Sequence, residues 1–196
     1  MEYSQYWPLD FCSYNDYFYW EKGFSKDDCN KIIQFGESHI LEKSQVYENT
    51  NISVTENSNV RSSEHVFLYP SEFMSEYYRR ISYIVKEANK QCFNYELTGL
   101  VEGIQFTKYK VGDFFKKHTD TSKTITRKLS LSILLSDPND FEGGDLNLYT
   151  SSIATPTKKE IGYTVIFPSY ALHEVTPVTK GTRYSLVVWI TGPNFK

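Results

Sequence analysis

The sequence predicts an α+β fold in which N-terminal helices brace a strand-rich second half. Apolar residues recur at helical spacing before residue 96, and short β-like runs punctuated by turn residues follow Leu97. No internal repeat or low-complexity linker divides the two parts. One domain over 1–196 is expected, with residues 1–96 as mainly helical support plus a loop and 97–192 as the strand core.

The first helix opens at Ser25, where Asp28 three positions on forms a capping pair. Ile32, Ile33, Phe35, Ile40 and Leu41 supply its apolar positions. Ser71 is placed to cap the second helix. Phe73, Tyr77, Ile81, Ile84, Val85, Ala88 and Cys92 then fall three and four apart, a core-facing stripe. Between the helices, residues 48–63 are rich in Asn, Ser and Thr and read as a mobile loop or a short-strand excursion. That loop is the natural candidate for a lid or selectivity loop.

The second half reads as five strands at residues 103–110, 128–135, 145–149, 163–167 and 183–190. Asp137-Pro138-Asn139-Asp140, Gly143-Gly144 and Lys180-Gly181 separate them. Many short strands with such turns suggest a sandwich, of which a jelly roll is one form.

Composition limits the setting. The 196 residues with 40% hydrophobic content can bury a core, and the net charge of -3 gives no strong electrostatic drive toward nucleic acid. A local basic groove stays open to test. The 16 Tyr and 13 Phe suit strands and polar-rimmed clefts. Cys12, Cys29 and Cys92 are odd in number and form no CxxC pair, which points to a reducing compartment. Neither a signal peptide nor a membrane span is legible, so a cytoplasmic protein is expected.

The chemistry concentrates in His118-Thr119-Asp120, with His173 and then Arg183 downstream. On an extended segment, residues two apart point to one side, so His118 and Asp120 can face one metal ion. A distant histidine completes a two-His, one-carboxylate face and leaves the opposite face open, the arrangement used by non-haem Fe(II) oxygenases. Arg183, Ser185 and Trp189 share strand parity, while Tyr184, Leu186, Val188 and Ile190 project to the other face. A guanidinium with a hydroxyl two residues on can grip a carboxylate. Tyr109 can donate its hydroxyl to the same ligand.

The runs Tyr109-x-x-Gly112…His118-x-Asp120, Arg127-Lys128-Leu129-Ser130-Leu131 and Phe141-Glu142-Gly143-Gly144-Asp145-Leu146 resemble the 2-oxoglutarate- and Fe(II)-dependent dioxygenases of the prolyl 4-hydroxylase type. They are nearest to the bacterial PKHD-type hydroxylases. His173 and Arg183-x-Ser185 are similar to that family's distal histidine and cosubstrate-binding arginine. The resemblance covers residues 103–192 and, more weakly, the helices. It implies a double-stranded β-helix (jelly-roll) core at 97–192 as the catalytic part. It also implies Fe(II) on His118, Asp120 and His173, with Arg183 as a further catalytic residue. 2-Oxoglutarate falls near Tyr109, Arg183, Ser185 and Trp189, and ascorbate is a further small-molecule ligand. The implied reaction consumes O2, releases succinate and carbon dioxide, and hydroxylates an unactivated C–H bond, proline in a peptide being the first expectation.

Other readings remain beside it. The same core serves free amino acids, nucleobases or other small molecules. A non-catalytic jelly-roll binding module would not need all three ligands and the arginine. A zinc hydrolase of His, His and Asp would leave Arg183 and Ser185 without a task. His39 and His65 read as surface or packing histidines, and Arg127 as either an anion contact or a salt-bridge partner. Trp189 either lines the cleft or fills the core. Gly143 and Gly144 read as a tight turn, since no helix follows to form a phosphate cradle. The aromatic opening from Tyr3 to Trp20 reads as sheet packing ahead of a stacking platform for a nucleobase.

Overall fold

The computed structural model describes residues 16–44, 60–122, 124–149 and 152–194, with the backbone of 46–47 and 54–55. In chain order the strands are β1 (Phe18–Trp20), β2 (Glu42–Lys43), β3 (Val46–Tyr47), β4 (Val54–Thr55), β5 (Arg61–Ser62), β6 (Glu64–Leu68), β7 (Ile104–Tyr109) and β8 (Phe114–His118). They continue as β9 (Arg127–Leu134), β10 (Phe141–Gly143), β11 (Leu146–Tyr149), β12 (Thr155–Pro156), β13 (Thr164–Pro168), β14 (Leu172–Val175), β15 (Val178–Gly181) and β16 (Arg183–Thr191). Helix α1 (Lys26–Glu37) precedes β2, and α2 (Ser75–Ala88) precedes β7.

Two antiparallel sheets form the core. The larger runs β1-β13-β9-β16-β7-β6-β2 and the smaller β12-β11-β14-β8-β5, with β10 and β15 paired beside them. Sheet membership is not confined to residues 97–192, because β1, β2, β5 and β6 join from the first half. The alternation of each strand sorts its residues between two apolar layers. Leu129, Leu131 and Ile133 of β9 and Leu186, Val188 and Ile190 of β16 face the helices, packing with Ile32, Ile81, Ile84 and Ala88. Val165 and Phe167 of β13 instead face Leu146, Leu148 and Val175 of the smaller sheet. The site lies between the sheets, so the helices brace it from behind.

The capping pair forms as the sequence suggests. Ser25 Oγ accepts from the Asp28 N–H at 3.1 Å while the Asp28 carboxylate accepts from the Ser25 N–H at 3.0 Å. Helix α1 sits so close to β7 that a side chain on Gly36 would come within 2.7 Å of the Phe106 ring. The helix stops at Glu37, leaving Ile40 90% exposed, so Ile40 is not part of the core stripe. Ser71 does not cap α2 itself. Its hydroxyl accepts from Met74 N–H at 3.2 Å, in the turn ahead of the helix. Cys92 lies beyond α2, in a π-helical turn over Asn89–Phe93, and is only half-buried. Cys29 is buried, and burial pushes its thiol pKa up to about 12; Cys12 lies outside the described residues.

The five strands read from the sequence form, within a residue or two at each end. The strands it does not reveal include β8 and β14, which carry the two histidines. Phe-Phe-Lys-Lys-His and Leu-His-Glu-Val lack a clean alternation, because functional and solvent-facing side chains interrupt it. Much of 48–63 lies outside the described residues; within it Val54–Thr55 pairs with Val46–Tyr47, and near its end Arg61–Ser62 pairs with β8. Most of the aromatic opening also lies outside them, and its described end, β1, pairs with β13. No helix among the described residues is long and apolar enough to cross a membrane.

Candidate metal centre

The smaller sheet brings the two histidines together. In the β8–β14 ladder His118 stands directly opposite His173, and the ring centroids are 4.1 Å apart. The register then slips, so that Phe115 pairs with Val175 and β8 carries one extra residue in between. Such a bulge re-aims the side chains around it. Here it lets Phe115 stack on the His118 imidazole at 3.4 Å, both facing the cavity.

Asp120 lies just past the end of β8 and is tied to the other sheet's edge. Its N–H donates to Ser169 O at 2.8 Å, and its carboxylate accepts from Ser130 Oγ at 2.6 Å. Ser130 is also 3.0 Å from Ser169 Oγ. The carboxylate ends up 3.7 Å from His118 Nε2 and 3.5 Å from His173 Nε2. One ligand atom from each of the three residues thus falls within 4.8 Å of the others.

Both histidines face this point in the form a metal needs. His118 Nδ1 lies 2.7 Å from Lys116 O and His173 Nδ1 lies 2.9 Å from Ala171 O. A carbonyl only accepts, so each Nδ1 carries the proton and each Nε2 presents a lone pair. Burial, reinforced by His173, holds the His118 pKa well below the usual imidazole range. Burial opposes the charged form of Asp120, but the two imidazoles, the Ser130 hydroxyl and the Trp189 indole outweigh it, so its pKa lies below the usual carboxylate range. Two neutral imidazoles and a carboxylate suit a divalent cation such as Fe(II).

The cavity that opens on this triad has a volume of about 460 Å³, mouth included. Tyr109, Arg183, Ser185 and Trp189 line it. Arg183 stands opposite Tyr109 in the β16–β7 ladder, with its guanidinium 5.4 Å from the Tyr109 ring centre. It is 3% exposed, and its Nη1 donates to Ser185 Oγ at 2.9 Å. No carboxylate pairs with it among the described residues. Burial lowers its pKa from the usual arginine value, with Tyr109 and Asp145 opposing that fall. A buried guanidinium left this way invites an anion. Gly144 gives it room, since a side chain there would lie 2.9 Å from Arg183 Cδ and the backbone has φ of +60°.

The Trp189 indole N–H is buried just beyond bonding distance of an acceptor, yet near enough to the Asp120 carboxylate to favour its charge. Its ring carries the Arg127 guanidinium at 4.0 Å, and Arg127 donates to both oxygens of Glu102, at 2.8 and 2.6 Å. Arg127 also reaches Asp120 O at 3.3 Å. It is thus a salt-bridge partner that buttresses the loop holding Asp120. His39 bonds to Phe35 O at 2.7 Å on the surface, and His65 bonds to Ser44 at 3.1 Å, so neither joins the triad. Gly143 and Gly144 make the tight turn, both with positive φ. Sequence reasoning passed over Ser130, Ser169 and Arg61. Ser130 sits on the cavity-facing parity of β9, the one available signal.

Residues 104–191 match the profile of the 2OG-Fe(II) oxygenase superfamily. Over this segment the chain is similar to that superfamily. Among curated relatives of the oxygenase segment, a PKHD-type hydroxylase of Prochlorococcus marinus is 38% identical over 92 residues, or 46% of this chain and 42% of that protein. The chain spans roughly half or less of the length of the curated relatives it matches. A prolyl-4-hydroxylase from Pseudomonas putida superposes with a TM-score of 0.71 at 18% identity, covering 91% of this chain and 94% of that one. A prolyl hydroxylase from Trichoplax adhaerens, in complex with a hypoxia inducible factor peptide fragment, gives 0.75 at 18% identity, covering 91% and 84%. At these identities the structural likeness speaks for the fold, the jelly roll of the 2OG-Fe(II) oxygenases.

Proposed function

We propose that the protein is a 2-oxoglutarate- and Fe(II)-dependent dioxygenase whose single iron is held by His118, Asp120 and His173. The observation that carries this is Arg183, a buried guanidinium without a carboxylate partner among the described residues, in the same cavity as the triad. A metal triad alone would suit several chemistries, and the waiting cation selects one with a dicarboxylic cosubstrate. When bound, iron and 2-oxoglutarate would let O2 act as the oxidant: one oxygen atom would enter succinate as 2-oxoglutarate loses carbon dioxide, and the other would enter a C–H bond of the substrate.

The chain's own residues position and exclude. His118 and His173 present Nε2 lone pairs because Lys116 O and Ala171 O hold their Nδ1 protons. Ser130 and the Ser169 carbonyl fix Asp120, so all three ligands are pre-aimed. Arg183 and Ser185 take the far carboxylate of 2-oxoglutarate, and the Tyr109 hydroxyl adds a donor. Trp189 brings its unpaired N–H and a flat apolar wall. Phe115, Phe167 and Val175 keep the remaining wall apolar, which excludes water from the oxidant.

The substrate belongs to the same proposal. The peptide held by the Trichoplax adhaerens neighbour and the PKHD-type relatives support a peptidyl residue such as proline. The proposed setting is the cytoplasm, and the buried Cys29 thiol is consistent with it. Anaerobic loading with iron and 2-oxoglutarate, then oxygen and ascorbate, should release succinate and add one oxygen to a member of a peptide-and-metabolite screen, read by mass spectrometry. His173→Ala should lose this turnover. Unchanged turnover would remove the assigned site.

A further inference from the structure

The cavity holds a second guanidinium that the proposed reaction does not use. Arg61 of β5 stands opposite Phe115 of β8, and its guanidinium lies 4.6 Å over the Phe115 ring. Phe115 in turn stacks on His118. Arg61, Phe115 and His118 therefore form one column, with the cation a single ring away from a metal ligand. Both Arg61 and Arg183 line the cavity.

Arg61 is held rather than left to sample solvent. Its Nε donates to Ser63 Oγ at 2.9 Å, and Ser63 Oγ donates to Ser44 Oγ at 2.8 Å. Ser44 Oγ lies 3.1 Å from His65 Nδ1, and Ser63 and Ser44 are both buried. This chain of hydroxyls grips one edge of the guanidinium and the Phe115 ring covers one face. Among the described residues nothing bonds to the Nη edge.

The neighbouring acids among the described residues are engaged elsewhere. Glu64 pairs with Lys110 at 2.7 Å, and Asp113 accepts from the Ser62 hydroxyl and from the Lys110 N–H. No carboxylate pairs with Arg61 among the described residues. Arg127, whose ring contact is with Trp189, is by contrast fully satisfied by Glu102. Of the three arginines around this site, two are held in place without a counter-ion among the described residues. One of them is accounted for by the far end of 2-oxoglutarate.

We propose that Arg61 is a specificity-determining residue that binds a carboxylate of the substrate itself, placed within a few bonds of the carbon presented to the triad. This deepens the proposed function and rests on it for the identity of the reaction. Among the described residues one cation on this side of the cavity has no carboxylate, which matches one negative charge and favours a carboxylate over a phosphate dianion. Two sources share that chemistry: the α-carboxylate of a free amino acid and the terminal carboxylate of a peptide. An internal peptidyl proline offers neither.

The test is direct binding, by calorimetry without oxygen, to the protein loaded with iron and 2-oxoglutarate. The probes are proline against prolinamide, and a proline-terminated peptide against its C-terminal amide. In the wild type, the acid of at least one pair should bind on the order of tenfold more tightly than its amide. The pair that shows this identifies the source. Arg61→Gln should bind acid and amide alike, and Arg61→Lys should keep part of the preference. A wild type indifferent to the charge in both pairs overturns the proposal, as does a preference that survives in Arg61→Gln. Titrating the metal and 2-oxoglutarate first separates the two levels: failure of either to bind sinks the proposed reaction. In that case the acid–amide comparison on the protein alone still decides the role of Arg61.

Discussion

The two faces of β16 do opposite jobs with one backbone. Toward the helices it presents Leu186, Val188 and Ile190, each at most 2% exposed and packed in the main core. Toward the cavity it presents Arg183, Ser185 and Trp189, equally buried but polar at their tips. The first face stabilises by removing apolar surface from water. Among the described residues, the second leaves a charge without a counter-ion and an indole N–H beyond bonding distance of an acceptor, and both lower stability. Groups buried at a loss mark where ligands belong. Burial alone cannot separate the two faces; partner accounting does.

The largest effect expected from breaking this division comes from the core face. Leu186→Ala removes a fully buried side chain between the sheet and the helices. It should destabilise by about 2–5 kcal/mol, read as a lower urea midpoint. The remaining folded protein should bind 2-oxoglutarate with unchanged affinity. A weakened cosubstrate site in that variant would mean the two faces are coupled.

Arg183→Met sharpens the contrast from the other side. Here 2-oxoglutarate affinity should fall by about 10- to 150-fold, the loss of charge-assisted hydrogen bonds worth roughly 1.5–3 kcal/mol. Thermal stability without ligand should hold or rise, because an apolar side chain of similar length replaces an unpaired buried charge. A lower melting temperature with unchanged cosubstrate affinity would make Arg183 a structural residue.

What the sequence revealed follows the same division. The parity of Arg183, Ser185 and Trp189 against Leu186, Val188 and Ile190 was legible because β16 alternates over its full length. The clustering of a candidate triad was legible because His118 and Asp120 are close in sequence and a chemistry needs both. The pairing of His118 with His173 was not, since register between β8 and β14 depends on a bulge and on strands too polar to read. Arg61 was hidden for a different reason. It sits at the end of an Asn- and Ser-rich stretch, and only pairing with β8 brings it to the cavity beside the triad. Contacts set by register are long-range facts that no local pattern encodes.

Ser130 gives the smallest of these effects and probes the boundary between the faces. It belongs to β9, whose Leu129, Leu131 and Ile133 pack against the helices, yet its own hydroxyl donates to Asp120 at 2.6 Å. That bond favours the ionised carboxylate and fixes which oxygens face His118 and His173. In Ser130→Ala the triad residues all remain, but the carboxylate can rotate and its pKa rises. Metal affinity should fall by about 10- to 100-fold at neutral pH, the usual effect of removing a group that orients a ligand. The deficit should widen as pH drops, because a carboxylate with a raised pKa takes up its proton at higher pH and then ceases to bind the ion. Competition with a chelating dye across that range measures it. A deficit that stays constant with pH would assign Ser130 to geometry alone, and an unchanged affinity would place it with the core-facing residues of its strand.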